Sequence, residues 1–163
     1  MNRGYFGIGI IGGKTPENLG VLFRSAKAFE ANFIFTIGCR YKRQPSDTTD
    51  SQRHIPLFEY ENFEDFKKHV PVNCKIIGIE NNVKSTEISS FIHPERAVYL
   101  LGAEDTGIPP NVLTECAHIV EIPTKHCLNV SVAGSILMFD RKNKSKIKIM
   151  IFMNEEHTKI NTE

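Results

Sequence analysis

Short apolar runs alternate with stretches of helical period along this chain, and that alternation leaves few folds open. The runs are Phe6–Ile11 (FGIGII), Phe33–Ile37 (FIFTI), Lys75–Glu80 (KIIGIE), Ala97–Leu101 (AVYLL) and His118–Ile122 (HIVEI). Each has the length of a buried strand and ends at glycine, proline or small polar residues. Between the first two, Leu19–Phe29 carries Val21, Leu22, Phe23, Ala26, Ala28 and Phe29 at amphipathic spacing. Thr15 as N-cap and Pro16 at the first helical position open that helix. Phe63, Phe66, Lys67 and Val70 fit one face of a second helix. A third starts at Pro109-Pro110, a last one covers Leu128–Phe139, and a weak one lies near Thr86–Ser90. Ile55–Tyr60 reads as a short extended piece. Strands alternating with helices predict an α/β domain, a mainly parallel sheet with helices on both faces.

The 163 residues suit one domain with a real core, placed at residues 1–142. Residues 143–163 shift to Lys, Asn and Ile around the apolar knot Ile147–Met153 and are expected to form a tail, partly disordered or packed on a neighbour. Residues 38–54 are polar and long for a connection, which marks them as functional or mobile. No run reaches the ~18 apolar residues of a membrane helix, and no secretory signal is read at Met1–Gly4, so a cytoplasmic protein without membrane contact is expected. Cys39, Cys74, Cys116 and Cys127 are scattered without a close pair. Four reduced thiols, with no disulfide framework and no metal site, are the expectation.

Net charge is +1 but uneven. Residues 1–45 hold seven Lys/Arg against two Asp/Glu, residues 76–123 two against seven, and residues 124–163 seven against four. If the two ends meet they make a basic face suited to a polyanion; otherwise basic and acidic segments pair with each other. Gly7-Ile8-Gly9-Ile10-Ile11-Gly12 matches G-x-G-x-x-G, but its glycines lie inside a strand instead of between strand and helix, which argues against a dinucleotide site. Gly13-Lys14-Thr15 lacks the first glycine of a phosphate loop, since that position is Ile8. His126-Cys127 are adjacent, and adjacent residues seldom face each other as a nucleophilic pair.

Three segments combine polar residues with loops: Asn18-Leu19-Gly20-Val21-Leu22-Phe23-Arg24, Leu101-Gly102-Ala103-Glu104-Asp105-Thr106-Gly107-Ile108-Pro109, and Ile122 to Ala133 (IPTKHCLNVSVA). In order and spacing they resemble the three motifs of the SpoU/TrmH family of RNA ribose 2′-O-methyltransferases, within the SPOUT superfamily. The resemblance covers residues ~6 to 140. It implies an α/β fold with a C-terminal trefoil knot, a homodimer, and S-adenosyl-L-methionine as cofactor. It implies a cofactor pocket built from Gly78, Ile79, Glu80, Leu101, Gly102, Ile122, Pro123, Cys127 and Leu128. Backbone groups near Gly102, Ile122 and Leu128 would read the adenine, and a Cβ at Gly102 would block that approach. Asn18, Arg24, Glu104 and Asn129 become the catalytic set. The reaction is methyl transfer from the sulfonium to a ribose 2′-hydroxyl of tRNA or rRNA.

In that setting Arg24 suits phosphate holding and alkoxide stabilisation better than proton abstraction, because a guanidinium has a pKa of ~12.5 or more. Glu104 would orient Arg24 or a backbone amide, and Asn129 would position Arg24 or the ribose. Structural roles compete with each. Arg24 would pair with Glu17 or Glu30 on a helix surface, Glu104 would cap a turn, and Asn129 would be the N-cap of the last helix, or serve in both capacities. Without a separate RNA-binding domain, the basic surface must supply RNA affinity: Lys14, Arg40, Lys42, Arg43 and Lys125, with Arg3, Arg141 and Lys142. Thr124–Cys127 is shorter than the family's loop, and Cys127 stands where the family has Ser. That departure motivates an alternative, a SPOUT-fold RNA-binding module with weak or no activity.

Overall fold

The computed structural model describes residues 4–42, 45 and 53–160, from 148 onward as backbone. Seven strands form a single sheet: β1 (Tyr5–Ile11), β2 (Phe33–Ile37), β3 (Leu57–Tyr60), β4 (Lys75–Ile79), β5 (Thr86–Glu87), β6 (Arg96–Leu101) and β7 (His118–Glu121). Four helices intervene: α1 (Pro16–Ala28), α2 (Phe63–His69), α3 (Pro110–Leu113) and α4 (Val130–Ile160). The strand order is β3-β2-β1-β6-β4-β7-β5, and every pairing is parallel. The expected strands are all present within a residue of their limits. The segment near Thr86–Ser90 is a correction: Thr86-Glu87 pair with β7 as a strand and Ile88–Ser90 turn. A stretch that short cannot complete a helix, and the open edge of β7 offers backbone partners instead.

The core has two halves, one on each face of the sheet. Phe6, Ile8 and Ile10 of β1 pack with Leu22 and Phe23 of α1 and Leu137 of α4. On the opposite face Phe33 and Phe35 of β2 pack with Phe63 and Phe66 of α2 and Val112 of α3. Helices therefore cover both faces, as alternation of buried side chains on a two-sided parallel sheet requires. The glycine-rich strand has a packing explanation. Gly7 and Gly9 sit opposite Phe33 and Phe35 in the β1–β2 register, and a Cβ at either would lie 2.2 Å from an atom of that phenylalanine. The G-x-G pattern thus makes room for two aromatic rings.

Helix α4 continues through residues 142–143 without a break, so the change of composition there is not a helix end. A buried polar cluster fixes it to the sheet. Arg141, only 4% exposed, donates to the Tyr99 hydroxyl (2.9 Å) and to the carbonyls of Pro94 (2.7 Å) and Glu95 (2.9 Å). With that oxygen accepting from Arg141, the Tyr99 hydroxyl donates to His93 Nδ1 (2.6 Å), and His93 Nε2 donates to Asp140 (2.8 Å). Lys144 completes the cluster against Asp140 and the carbonyls of Ile88 and Phe91. Burial lowers the His93 pKa and pushes Tyr99 up to about 12. Arg141 is therefore removed from the expected basic surface, because its charge is spent on internal acceptors.

Candidate active site

A parallel sheet offers a crevice at the carboxyl ends of its strands where the chain reverses direction across the sheet. Here the chain winds outward from β1 through β2 to β3, then crosses to β4 and returns to place β6 beside β1. The reversal lies between β1 and β6. A crevice of about 250 Å³ opens there, lined by Ile10, Gly13, Lys14, Thr15, Asn18, Ala103, Glu104, Asp105 and Val130. Two strands along, at the ends of β4 and β7, a second cavity of about 210 Å³ is lined by Ile79, Glu80, Asn81, Ile122, Thr124–Leu128 and Ala133.

The three motif segments meet at Glu104. Its Oε1 accepts from Asn18 Nδ2 (2.7 Å) and from Asn129 Nδ2 (2.8 Å), and its Oε2 accepts from Thr15 Oγ1 (3.3 Å). Asn129 Nδ2 also donates to Asn18 Oδ1 (2.9 Å). The other end of the Asn129 amide caps α4: Oδ1 accepts from Ser131 N (2.9 Å) and Ser131 Oγ (2.5 Å). Asn129 thus serves the helix and the site together, because its amide has an acceptor for one and donors for the other. Thr15 precedes α1 as expected, but its hydroxyl makes no capping bond and goes to Glu104 instead. Sequence reasoning missed Thr15 as a site residue; its place three residues before Asn18, on the same turn, was the available signal.

Arg24 stands apart. Six residues beyond Asn18 is about 240° past a full turn, so the two occupy different faces of α1. Arg24 is exposed and makes no hydrogen bond or ion pair among the described residues. The expected contacts of Glu104 and Asn129 with Arg24 are absent there. Both side chains are engaged with Asn18 instead. The expected pairing of Arg24 with Glu17 or Glu30 is absent too.

Of the expected cofactor residues, Ile79, Glu80, Ile122, Cys127 and Leu128 line the second cavity. Asn81, Thr124, Lys125, His126 and Ala133 line it as well, so Lys125, expected at the RNA surface, stands at this cavity. Gly78 does not line it: it is buried under Cys116, Leu113 and Ile108, whose atoms lie 3.2–3.4 Å from where its Cβ would be. Leu101 is 2% exposed in the core, and Pro123 is outside the lining. Gly102 is required for a different reason than expected. A Cβ there would lie 2.1 Å from the Gly107 carbonyl carbon and 2.3 Å from Ile108 N, so glycine lets the loop fold on itself. Glu80 braces that loop from below, its Oε2 accepting from Ile108 N (2.9 Å). The shortened loop closes through Thr124 Oγ1, which donates to the His126 carbonyl (2.8 Å).

Among the expected RNA contacts, Lys14 pairs with Asp105 (2.5 Å), and that ammonium holds the Asp105 carboxyl below its usual range. Arg40 lines an open cavity at the ends of β2 and β3. Lys42 is exposed, and Lys142 pairs with Glu30 (3.0 Å). Arg3 and Arg43 lie outside the described residues. Among the described residues no group of three His, Cys, Asp or Glu is arranged to hold a metal ion, and no helix is long and apolar enough to cross a membrane.

The sequence of residues 8–139 matches the family model described as the SpoU rRNA Methylase family. The chain belongs to this family. It is 30% identical over 136 residues to the mouse (Mus musculus) tRNA (guanosine(18)-2′-O)-methyltransferase TARBP1, an alignment covering 77% of this chain and 8% of that protein. It is 25% identical over 137 residues to the 23S rRNA (guanosine-2′-O-)-methyltransferase RlmB of Acinetobacter baylyi, covering 77% of this chain and 54% of the relative. Its fold resembles the AdoMet-bound rRNA methyltransferase of Sinorhizobium meliloti, with a TM-score of 0.76 at 22% identity, over 86% of this chain and 57% of that one. The chain thus spans little more than half of these two bacterial proteins and a small part of the mouse protein.

Proposed function

We propose that this chain transfers a methyl group from S-adenosyl-L-methionine to a ribose 2′-hydroxyl of tRNA or rRNA. The observation that carries the reading is the convergence of Asn18, Glu104 and Asn129 from three separate segments at the crevice between β1 and β6. The names of the mouse and Acinetobacter relatives, both RNA 2′-O-methyltransferases, support the reaction class.

The second cavity suits the cofactor in kind: Ile79, Ile122, Leu128 and Ala133 provide apolar walls for an adenine, and Glu80, Asn81 and Thr124 add polar groups. Bound there, S-adenosyl-L-methionine supplies a methyl group made electrophilic by its sulfonium. The chain's own residues do the positioning. Glu104 Oε1 is saturated by two amide donors, whereas Oε2 has one long bond to Thr15. Oε2 therefore has a lone pair for the proton of a ribose hydroxyl in the crevice. Asn18 and Asn129 keep that carboxylate from turning. Arg24, an exposed cation with no partner among the described residues, holds an RNA phosphate, and Arg40 and Lys42 extend the phosphate track from the ends of β2 and β3.

The reading includes the trefoil knot, the homodimer and the cytoplasm. Support for the knot is the path after β7, which brings Asn129 against the Ala103–Gly107 loop before α4 packs along α1. Support for the homodimer is an exposed apolar stripe on α4, formed by Val132, Ile136, Phe139 and Ile147. The four free cysteines suit a reducing compartment.

Calorimetry with S-adenosyl-L-methionine, followed by transfer of labelled methyl to bulk RNA and mapping of 2′-O-methylated positions, tests the proposal. Cofactor binding with transfer to ribose is expected. Cofactor binding without transfer to any RNA favours the inactive module, and no cofactor binding refutes the methyltransferase reading.

A further inference from the structure

The crevice that must admit a polyanion carries two carboxylates on one loop, Glu104 and Asp105. Glu104 is held by three uncharged donors, so its charge has no counterion among the described residues. Asp105 has one, Lys14, which reaches across from the loop after β1 with Nζ 2.5 Å from Oδ2. Both partners line the crevice, and both are wet: their side chains are 68% and 55% exposed. An ion pair so exposed is weak and readily exchanged, since water screens it and two flexible side chains must be held together. It is also badly placed for simple stability, at the rim of a cavity instead of over the core.

We infer that the Lys14–Asp105 pair is a latch in which Asp105 stands in for an RNA phosphate. The carboxylate occupies the ammonium while the crevice is empty. An incoming nucleotide's phosphate displaces it, and Lys14 becomes a backbone anchor beside the Asn18–Glu104–Asn129 cluster. The inference rests on the methyl-transfer reading of the same crevice. Several features support the exchange. Gly12, with φ +66°, and Gly13 precede Lys14, and no atom lies within 4 Å of a Cβ built on Gly12, so the loop has backbone freedom and space to let Lys14 swing. Asp105 follows directly on Glu104, which Asn18 and Asn129 fix, so the competing carboxylate stays near the site after release. A backbone phosphodiester carries the same charge as the carboxylate it replaces and likewise presents two charged oxygens to an ammonium that has three donors. The latch also lowers unspecific capture: a polyanion that cannot reach into the crevice never releases Lys14.

The experiment is a double-mutant cycle on the full chain, with filter binding to an unmodified tRNA transcript pool at several salt concentrations and methyl transfer read in parallel. Lys14→Ala weakens binding by roughly fivefold near 0.1 M salt and lowers the salt slope by about 0.7 to 1, the signature of one lost phosphate contact. Lys14→Arg restores most of it. Asp105→Asn tightens binding by about two- to fivefold, the range of an exposed ion pair. The sign of the coupling decides between mechanisms. A latch makes the gain from Asp105→Asn smaller when Lys14 is already Ala, because no competitor remains to remove. If Lys14 only neutralises Asp105 and never touches RNA, that gain is larger in the Lys14→Ala background, and the latch is overturned. An unchanged affinity in Asp105→Asn overturns it too. If the unsubstituted protein binds and methylates RNA, these failures concern the latch alone; if it does neither, the methyl-transfer reading falls with it. Melting curves of each variant check that the exposed substitutions leave the fold intact.

Discussion

Replacing Asn129 separates two functions that one amide performs. Its Oδ1 caps α4 through Ser131, and its Nδ2 bridges Glu104 and Asn18. In Asn129→Ala both are lost. Loss of an N-cap costs about 1 kcal/mol, within a range of ~0.5–2. Thermal unfolding of a chain this long moves by roughly 2–4 °C for each kcal/mol. At the central value the melting temperature of the alanine variant should therefore fall by about 2–4 °C. Asn129→Ser keeps a hydroxyl at the cap, able to accept from the Ser131 N–H, and should fall by less than about 2 °C. The serine is too short to reach Glu104, so both variants lose the bridge equally. With Glu104 free to turn, the ribose hydroxyl loses its aligned acceptor, and misalignment of this kind costs on the order of 100-fold in rate. The assay is methyl transfer under single-turnover conditions beside a melting curve. The two variants should differ in stability and agree in their loss of rate. Transfer by Asn129→Ser within about threefold of the parent refutes the bridging role, since ~0.7 kcal/mol is too little for a lost alignment. Equal melting temperatures for the two variants refute the capping role.

Burial depresses the His93 pKa below its ordinary 6.5, so between the two values the unfolded chain binds more protons and stability rises with pH. Stability should thus fall as pH drops below about 6.5, and His93→Gln should flatten that part of the profile in denaturant titrations; an unchanged slope excludes His93 as its source. Cys127 is exposed at the second cavity, whereas burial raises the Cys116 thiol to about 11. Iodoacetamide at pH 8 should label Cys127 well before Cys116, and saturating S-adenosyl-L-methionine should slow the Cys127 reaction; labelling indifferent to the cofactor would place it elsewhere. Phe139 is 61% exposed on the apolar stripe of α4. In the proposed homodimer this stripe is the interface, so the unsubstituted chain should sediment as a dimer and Phe139→Glu as a monomer in sedimentation equilibrium; a monomeric parent would refute the dimer, and a dimer that survives the substitution would move the interface off this stripe.

The sequence by itself determined the class of fold and every strand except β5, whose Thr86-Glu87 it placed in a weak helix. Five apolar runs bounded by glycine, proline or small polar residues became strands, because burial on two faces demands continuous hydrophobicity, whereas the run Ile147–Met153 continues helix α4. It also supplied Asn18, Glu104 and Asn129, through motifs whose order survives without any knowledge of distance. Local pattern could not reveal how they are wired. That Glu104 binds Asn18 and not Arg24 depends on which turn of α1 faces the β6 loop, a matter of helix phase and packing. Thr15 looked like a cap, and only the position of Glu104 turned its hydroxyl away. Arg141 looked like a surface cation until α4 laid it over Tyr99, where backbone carbonyls compensate its buried charge. The glycines of β1 match the letters of a nucleotide fingerprint at the wrong place in the strand, and in three dimensions they make space for Phe33 and Phe35. Residue type and spacing specify what each segment can do, whereas the partner each side chain meets is decided by contacts between residues from 25 to 111 positions apart, which only the closed tertiary structure brings together.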